Sequence, residues 1–213
     1  MTNPNKTLIA VLLDRSGSMT TIKEDVEGGF NAFIAEQKKV EGTCRVTLAQ
    51  FDNTYDVVYT DKDINDVPSL DLHPRGMTAL LDSMGKLITD TGAELASLPE
   101  DERPGSVIVA IMTDGQENSS REWARPQIKK LVEEQTEKYG WQFLYLGADQ
   151  DAIEVGTSVG ILADNSLTYT RGNAAQVMAM TSCNVAAYRS SIREGDVLAS
   201  VSYSSEQRED AVK

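Results

Sequence analysis

Residues Thr7–Met19 read TLIAVLLDRSGSM. The first seven carry no charge and are mostly Leu, Ile and Val, as suits a strand buried on both faces of a parallel sheet between covering helices. Polarity then arrives all at once. Asp14, Ser16 and Ser18 fall at every second position, separated by Arg15 and Gly17, before a helical pattern begins near Thr21. In an open α/β sheet ligands collect at the carboxyl ends of the strands, so a site is expected here. One carboxylate and two hydroxyls at that spacing form a half-shell of hard oxygen ligands.

Working outward, Thr21 and Glu24 have capping-box spacing, and Ile22, Val26, Phe30, Phe33 and Ile34 recur on one face of a helix running to about Lys39. Gly28 and Gly29 oppose that helix at roughly 1 kcal/mol each relative to Ala, which suggests close packing on the sheet. CRVTLAQFD and YDVVYT read as a hairpin turning at Asp52–Thr54, its second strand an antiparallel edge. A polar stretch from Asp61 to Arg75 leads into GMTALLDSMGKLI, a helix starting just after Thr78. SVIVAIMTDGQENSS then repeats the opening design, with Asp114 and Gly115 after an apolar strand. A short turn is expected over Ser119–Trp123, then a helix from about Pro126 with Ile128, Leu131, Val132 and Tyr139 on its core face. WQFLYLG is a strand, AIEVGTSVGI a short helix, SLTYT a last strand, and Val177 to Ile192 line a last helix. The alternation predicts a doubly wound, mostly parallel α/β sheet with one antiparallel edge strand and helices on both faces. Residues 1–194 are expected to form one domain, and residues 195–213, rich in Ser, Glu and Gln, a loosely held tail.

The chain has 213 residues, 40% of them hydrophobic, enough for one well-buried domain. Its net charge of −13 works against phosphate binding, which needs Lys and Arg, so DNA, RNA and anionic membranes are poor partners. Two separated cysteines, Cys44 and Cys183, and an N-terminus without signal-peptide character point to a reducing, cytoplasmic setting with free thiols.

Three loops carry the candidate chemistry: DRSGS after the first strand, GMT before a helix, and TDG after a later strand. Singly, each has an ordinary explanation as a helix cap or a turn pair. Together they converge where the winding of the sheet changes direction. The ordered set Asp14, Ser16, Ser18, then Thr78, then Asp114 resembles the von Willebrand factor type A domain with its metal-ion-dependent adhesion site. The segments GMTALLDSMGKLI, MTDGQENSS and YLGADQDAIEVGTSVGI are similar to stand-alone bacterial and phage members, so the resemblance spans nearly the whole chain. It implies that Ser16, Ser18 and Thr78 coordinate a divalent cation through hydroxyls, while Asp14 and Asp114 act mainly through bound waters and hydrogen bonds. Mg²⁺ is the expected ion, with Mn²⁺ or Ca²⁺ as alternatives, since a mixed shell of hydroxyls and waters suits a hard, reluctantly dehydrated cation. The family's last coordination position is often filled by an Asp or Glu of a partner. Association with AAA-type ATPases, kinases or phosphatases, or stress-response systems is implied by resemblance alone. Arg15, Gly17, Met77, Gly115 and Gln116 are rim residues by adjacency.

Two other readings compete with a protein-binding module. A Mg²⁺- or Mn²⁺-dependent hydrolase or phosphatase could use the same site, with Asp14 as nucleophile, but haloacid dehalogenase-type enzymes carry a second aspartate where this chain has Ser16. Serine hydrolysis lacks support, because His73 is the only histidine and no G-x-S-x-G elbow surrounds Ser16 or Ser18. The remaining reading is a scaffold that folds without metal, its five residues acting only as caps.

Overall fold

The computed structural model describes residues 2–213. Strand β1 (Asn3–Asp14) is buried from Thr7 onward, and its side chains divide between two apolar layers. Leu8, Ala10 and Leu12 pack into one, Ile9, Val11 and Leu13 into the other. This is why no polar residue interrupts the run: a strand covered on both faces has no solvated side.

β1 lies in the middle of a six-stranded sheet with β2 (Thr43–Phe51), β3 (Tyr55–Asp63), β4 (Pro104–Thr113), β5 (Gln142–Ala148) and β6 (Ser166–Tyr169), in the order β3-β2-β1-β4-β5-β6. All pairings are parallel except β2–β3, so the hairpin and its edge strand form as the sequence predicts. Helices α1 (Lys23–Gln37) and α5 (Ala174–Arg193) cover one face, and α2 (Leu80–Ser97), α3 (Arg125–Tyr139) and α4 (Ala152–Ser158) the other. From β1 the chain winds outward to β2 and later, beyond β4, in the opposite direction. The carboxyl ends of β1 and β4 therefore flank the switch point where a ligand cleft is expected.

Several local expectations are corrected. The Thr21–Glu24 capping box does not form, because Gly17–Ile22 is a 3₁₀ turn and α1 begins at Lys23 with no side-chain cap. Gly29 marks close packing against α5 rather than the sheet. A Cβ there would lie 3.1 Å from the Ala175 and Met178 carbons, whereas Gly28 faces open space. No helical turn covers Ser119–Trp123. Instead the Asp82 carboxylate accepts the backbone N–H groups of Arg121, Glu122 and Trp123 at 2.8–2.9 Å. On α3, Ile128 and Val132 are buried as expected, but Tyr139 in the last turn is 63% exposed and lines a surface groove with Trp141 and Leu131.

Residues 195–213 also differ from the loose tail expected of them. Val197 and Leu198 stand in solvent, but Val201, Tyr203 and Ala211 are buried in the same apolar layer as α1 and α5. Tyr203 Oη pairs with the Thr181 hydroxyl at 2.8 Å. Helix α6 (Ser205–Ala211) starts in a capping box, the Ser204 hydroxyl accepting from the Gln207 N–H. The segment then runs along β6, where Ala211 O accepts from Thr170 N at 3.0 Å and Arg208 Nη1 donates to Ser166 O at 2.7 Å. It thereby shields an edge strand that would otherwise present unpaired backbone groups. Cys44 and Cys183 are free thiols. No helix among the described residues is long and apolar enough to cross a membrane.

If this segment is integral to the fold, Tyr203→Ala should lower the unfolding free energy in urea by about 3–5 kcal/mol, the usual cost of removing a buried aromatic ring. A change below about 0.5 kcal/mol would mean that the segment is loosely held after all.

Candidate functional site

β1 ends by placing a carboxylate out of reach of water. Asp14 has no exposed surface. Its Oδ1 accepts the Ser16 N–H at 2.6 Å and its Oδ2 the Thr113 hydroxyl at 2.5 Å, the latter reaching over from the end of β4. The turn back to Ser16 carries the loop away from the sheet and sets Ser16 Oγ 3.0 Å from Ser18 Oγ. Ser18 in turn donates to Asp114 Oδ1 at 2.6 Å, joining the loop after β1 to the loop after β4. Asp114 Oδ2 is buried and accepts no hydrogen bond.

Thr78 completes the group. Its hydroxyl does not cap α2, whose N-cap position falls at Ala79 without a side-chain cap. Its position is fixed by what surrounds Gly115. A Cβ built there would lie 2.6 Å from Thr78 Oγ1, 3.3 Å from Asp14 Oδ2 and 3.4 Å from Ser16 Oγ. Three oxygens from two further loops thus crowd one side of Gly115, and any side chain would push into them. The five residues singled out from sequence are brought together.

Burial raises the Asp14 carboxyl from its ordinary value to about 6, with a smaller contribution from the charge of Asp114. The hydrogen bonds from Thr113 and Ser16 pull the other way. An oxygen-only group of three hydroxyls and two carboxylates suits a hard divalent cation. Among the described residues no group of three or more His, Cys, Asp or Glu side chains is placed to hold a metal, so a cation here would depend on the hydroxyls.

The loops are stitched to one another by residues that the motif does not contain. Glu117 Oε1 accepts the backbone N–H groups of Ser119 and Ser120, while its Oε2 accepts the Leu81 N–H at 2.8 Å, capping α2 from a distant loop. Ser120 Oγ takes the Asp82 N–H at 3.0 Å, and Asn118 Oδ1 takes the Thr78 N–H at 3.0 Å. Trp123 lies over Gly85 of α2, where a Cβ would come within 2.4 Å of the indole. A run of acid, amide and hydroxyl in GQENSS is the only sequence signal for this. The spans of 36–40 residues that it bridges are not visible in the pattern.

Of the expected rim residues, Gly17, Met77 and Gln116 are exposed and Gly115 half-buried. Arg15 is corrected: it is buried and points into a salt-bridge network. Its Nε meets Asp52 Oδ2 at 3.0 Å and its Nη2 meets Asp56, while Arg75 Nε shares Asp52 Oδ2 at 2.7 Å. Burial works to raise the Asp52 carboxyl, but hydrogen bonds from Arg75 and Thr54 and the charge of Arg15 hold it below its usual value. Arg15 therefore ties the Ser16 loop to the β2–β3 turn and to the segment before Thr78. A third arginine, absent from the sequence reading, stands at the site: Arg171 Nη2 is 3.2 Å from Asp114 Oδ2. His73 is an exposed loop residue paired with Asp71.

No family model matches the chain, and no curated protein matches it in sequence. Solved structures do match in fold. A von Willebrand factor type A protein from Catenulispora acidiphila aligns at 14% identity over 84% of this chain and 42% of its own, with a TM-score of 0.56. Proximal thread matrix protein 1 from the mussel byssus aligns at 14% over 83% and 45%, with a TM-score of 0.59. The von Willebrand factor domain of the type V pili tip protein Mfa5 from Porphyromonas gingivalis aligns at 12% over 84% and 94%, with a TM-score of 0.55. The chain spans less than half the length of the first two. Its fold is that of the von Willebrand factor type A domains.

Proposed function

We propose that this domain is a metal-dependent protein-binding module, in which a divalent cation held at the carboxyl edge of the sheet receives an Asp or Glu side chain of a partner protein. The observation that carries this reading is the cradle around Gly115, where hydroxyls and a carboxylate from separate loops converge with no side chain among them. Ser16, Ser18 and Thr78 would supply direct oxygen ligands, with Asp114 holding a water and Asp14 acting from beneath through its hydrogen bonds to Ser16 and Thr113. A cation held mainly by neutral hydroxyls keeps most of its charge and so offers a strong electrophilic contact for an incoming carboxylate. Mg²⁺ suits this set best, and Mn²⁺ shares its preference for six oxygens. Asp114 Oδ2, buried and ion-paired with Arg171 but accepting no hydrogen bond, keeps acceptor capacity that a metal-bound water would satisfy. Fold neighbours named for a pilus tip and for a byssal thread matrix fit a domain that works by binding proteins.

The burial of Asp14 counts against a phosphatase. A nucleophile must reach its substrate, yet this carboxylate has no exposed surface and both of its oxygens already accept hydrogen bonds. No turnover of an aryl phosphate with Mg²⁺ or Mn²⁺ is expected.

Thermal melting in chelator, then in Mg²⁺ and in Mn²⁺, tests the site directly. At about 100 times its dissociation constant a cation should add about 2.7 kcal/mol, which is roughly 5–10 °C for a domain of this size. Asp114→Ala and Gly115→Ala should fold and show no shift. A wild type indifferent to both ions, or a Gly115→Ala variant that responds as the wild type does, would remove the support for this reading.

The raised Asp14 carboxyl gives a pH signature in chelator. The folded state holds this proton more tightly than the unfolded chain, so its stabilising effect is full below pH 4 and is lost as pH rises through about 6. Relative to Asp14→Asn, the wild type should therefore lose up to about 3 kcal/mol between pH 4 and pH 7. Parallel stability curves for the two proteins in urea would contradict the burial of an ionisable group at this position.

A further inference from the structure

Arg171 lies outside every segment that carries the metal-site motif. It opens the 3₁₀ turn Arg171–Asn173 that follows β6, on the same edge of the sheet as Asp14 and Asp114. Its guanidinium stands between two carboxylates, with Nη2 3.2 Å from Asp114 Oδ2 and Nε 3.5 Å from Asp149 Oδ2. Asp149, just past β5, adopts a left-handed backbone (φ 50°) that is uncommon outside glycine. Its Oδ1 accepts the Arg171 N–H at 3.4 Å. These contacts are made by charge more than by hydrogen bonding, since Asp114 Oδ2 and Arg171 Nε are both buried atoms without a hydrogen-bond partner. The Arg171 side chain nevertheless remains 40% exposed.

Two consequences follow from Coulomb's law. A divalent cation gathered by Ser16, Ser18, Thr78 and Asp114 would share Asp114 with a fixed positive charge, and like charges a few ångströms apart repel even in water. A carboxylate arriving from solvent would instead be attracted to both. We propose that Arg171 is a specificity-determining residue of this site. It weakens retention of the cation by the domain alone and adds a second positive contact for an acidic side chain, so that cation and acidic partner bind cooperatively. The proposal rests on the metal-dependent reading above. Because such coupling is reciprocal, it is measurable from the metal side without knowing the partner.

The experiment is calorimetric titration of Mn²⁺ into the full chain at fixed ionic strength, in chloride and then in acetate as a carboxylate probe. Wild type, Arg171→Gln, Arg171→Lys and Asp114→Ala are compared. Arg171→Gln should bind Mn²⁺ about tenfold more tightly in chloride, the shift expected for removing one positive charge close to a divalent ion. Arg171→Lys, which keeps the charge, should stay near the wild type, separating electrostatics from loss of packing. Acetate should tighten Mn²⁺ binding to the wild type and have a smaller effect on Arg171→Gln. Unchanged or weaker Mn²⁺ binding by Arg171→Gln, or equal tightening by Arg171→Lys, would overturn the role of Arg171. In that case loss of binding in Asp114→Ala alone would leave the metal-site reading standing. Absence of Mn²⁺ binding in the wild type and in Arg171→Gln would overturn both.

Discussion

A carboxylate without solvent contact stands at the end of β1, in the middle of the sheet between both apolar layers, and the site depends on how that carboxylate is satisfied. Burying an ionisable group without partners costs several kcal/mol, so Asp14 is tenable only because Thr113 and the Ser16 N–H reach it at short distance. Each donor fixes something else. Thr113 is the last residue of β4, so its hydroxyl locks the relative height of the two central strands. The Ser16 N–H can point back at Asp14 only if the chain turns sharply, and that turn brings the Ser16 and Ser18 hydroxyls to the same side. Asp14 thus works as the floor of a cup whose walls are set by what it needs.

The walls hold one another by charged groups placed between loops rather than within them. Asp52 receives both Arg15 and Arg75, Glu117 caps α2 from across the cleft, and Asp82 gathers three consecutive backbone N–H groups of the loop that follows Asp114. Hydrogen bonds to charged groups contribute about 1.5–3 kcal/mol each, more than neutral ones. Loops tied in this way sit in one arrangement, which is what a set of weak neutral ligands needs if it is to act together. Asp52, Asp82 and Glu117 are therefore structural at this edge, where a composition count would assign them to solvated surface.

How much of this could be read from the residues follows the same division. β1 was legible because strand burial is a local signal contained within a dozen residues, whereas the five candidate residues were legible only as an ordered set over three loops, each of them ordinary by itself. Trans caps were not, since Glu117 and Leu81 become neighbours only after α2 and β4 have packed against each other. Thr21 and Glu24 show the opposite failure: their spacing suits a capping box, but a 3₁₀ turn that keeps Met19 and Ile22 buried displaces the helix start. The segment after Gly195 misled through composition. Its alternating Val201 and Tyr203 are a true burial signal, outweighed in the sequence by Ser, Glu and Gln neighbours, of which Ser204 and Gln207 in fact cap α6. Arg171 gave no signal at all, because an arginine before Gly172 in a loop is ordinary until β6 places it beside Asp114.

The distribution of charge sets the terms on which such a cup can bind. The whole chain carries −13, so an acidic partner of the proposed kind would be repelled at distances beyond a few Debye lengths of the surface only weakly, and more strongly as it approached. Attraction would take over only at the mouth, where Arg171 sits and where a cation would add its charge. Long-range repulsion and short-range attraction respond oppositely to geometry: the first penalises every acidic surface alike, and the second rewards only a carboxylate that reaches the floor between Ser18, Thr78 and Gly115. With a cation bound at its centre, an acidic domain of this kind would discriminate by shape among ligands of the same charge, which a uniformly basic surface could not do.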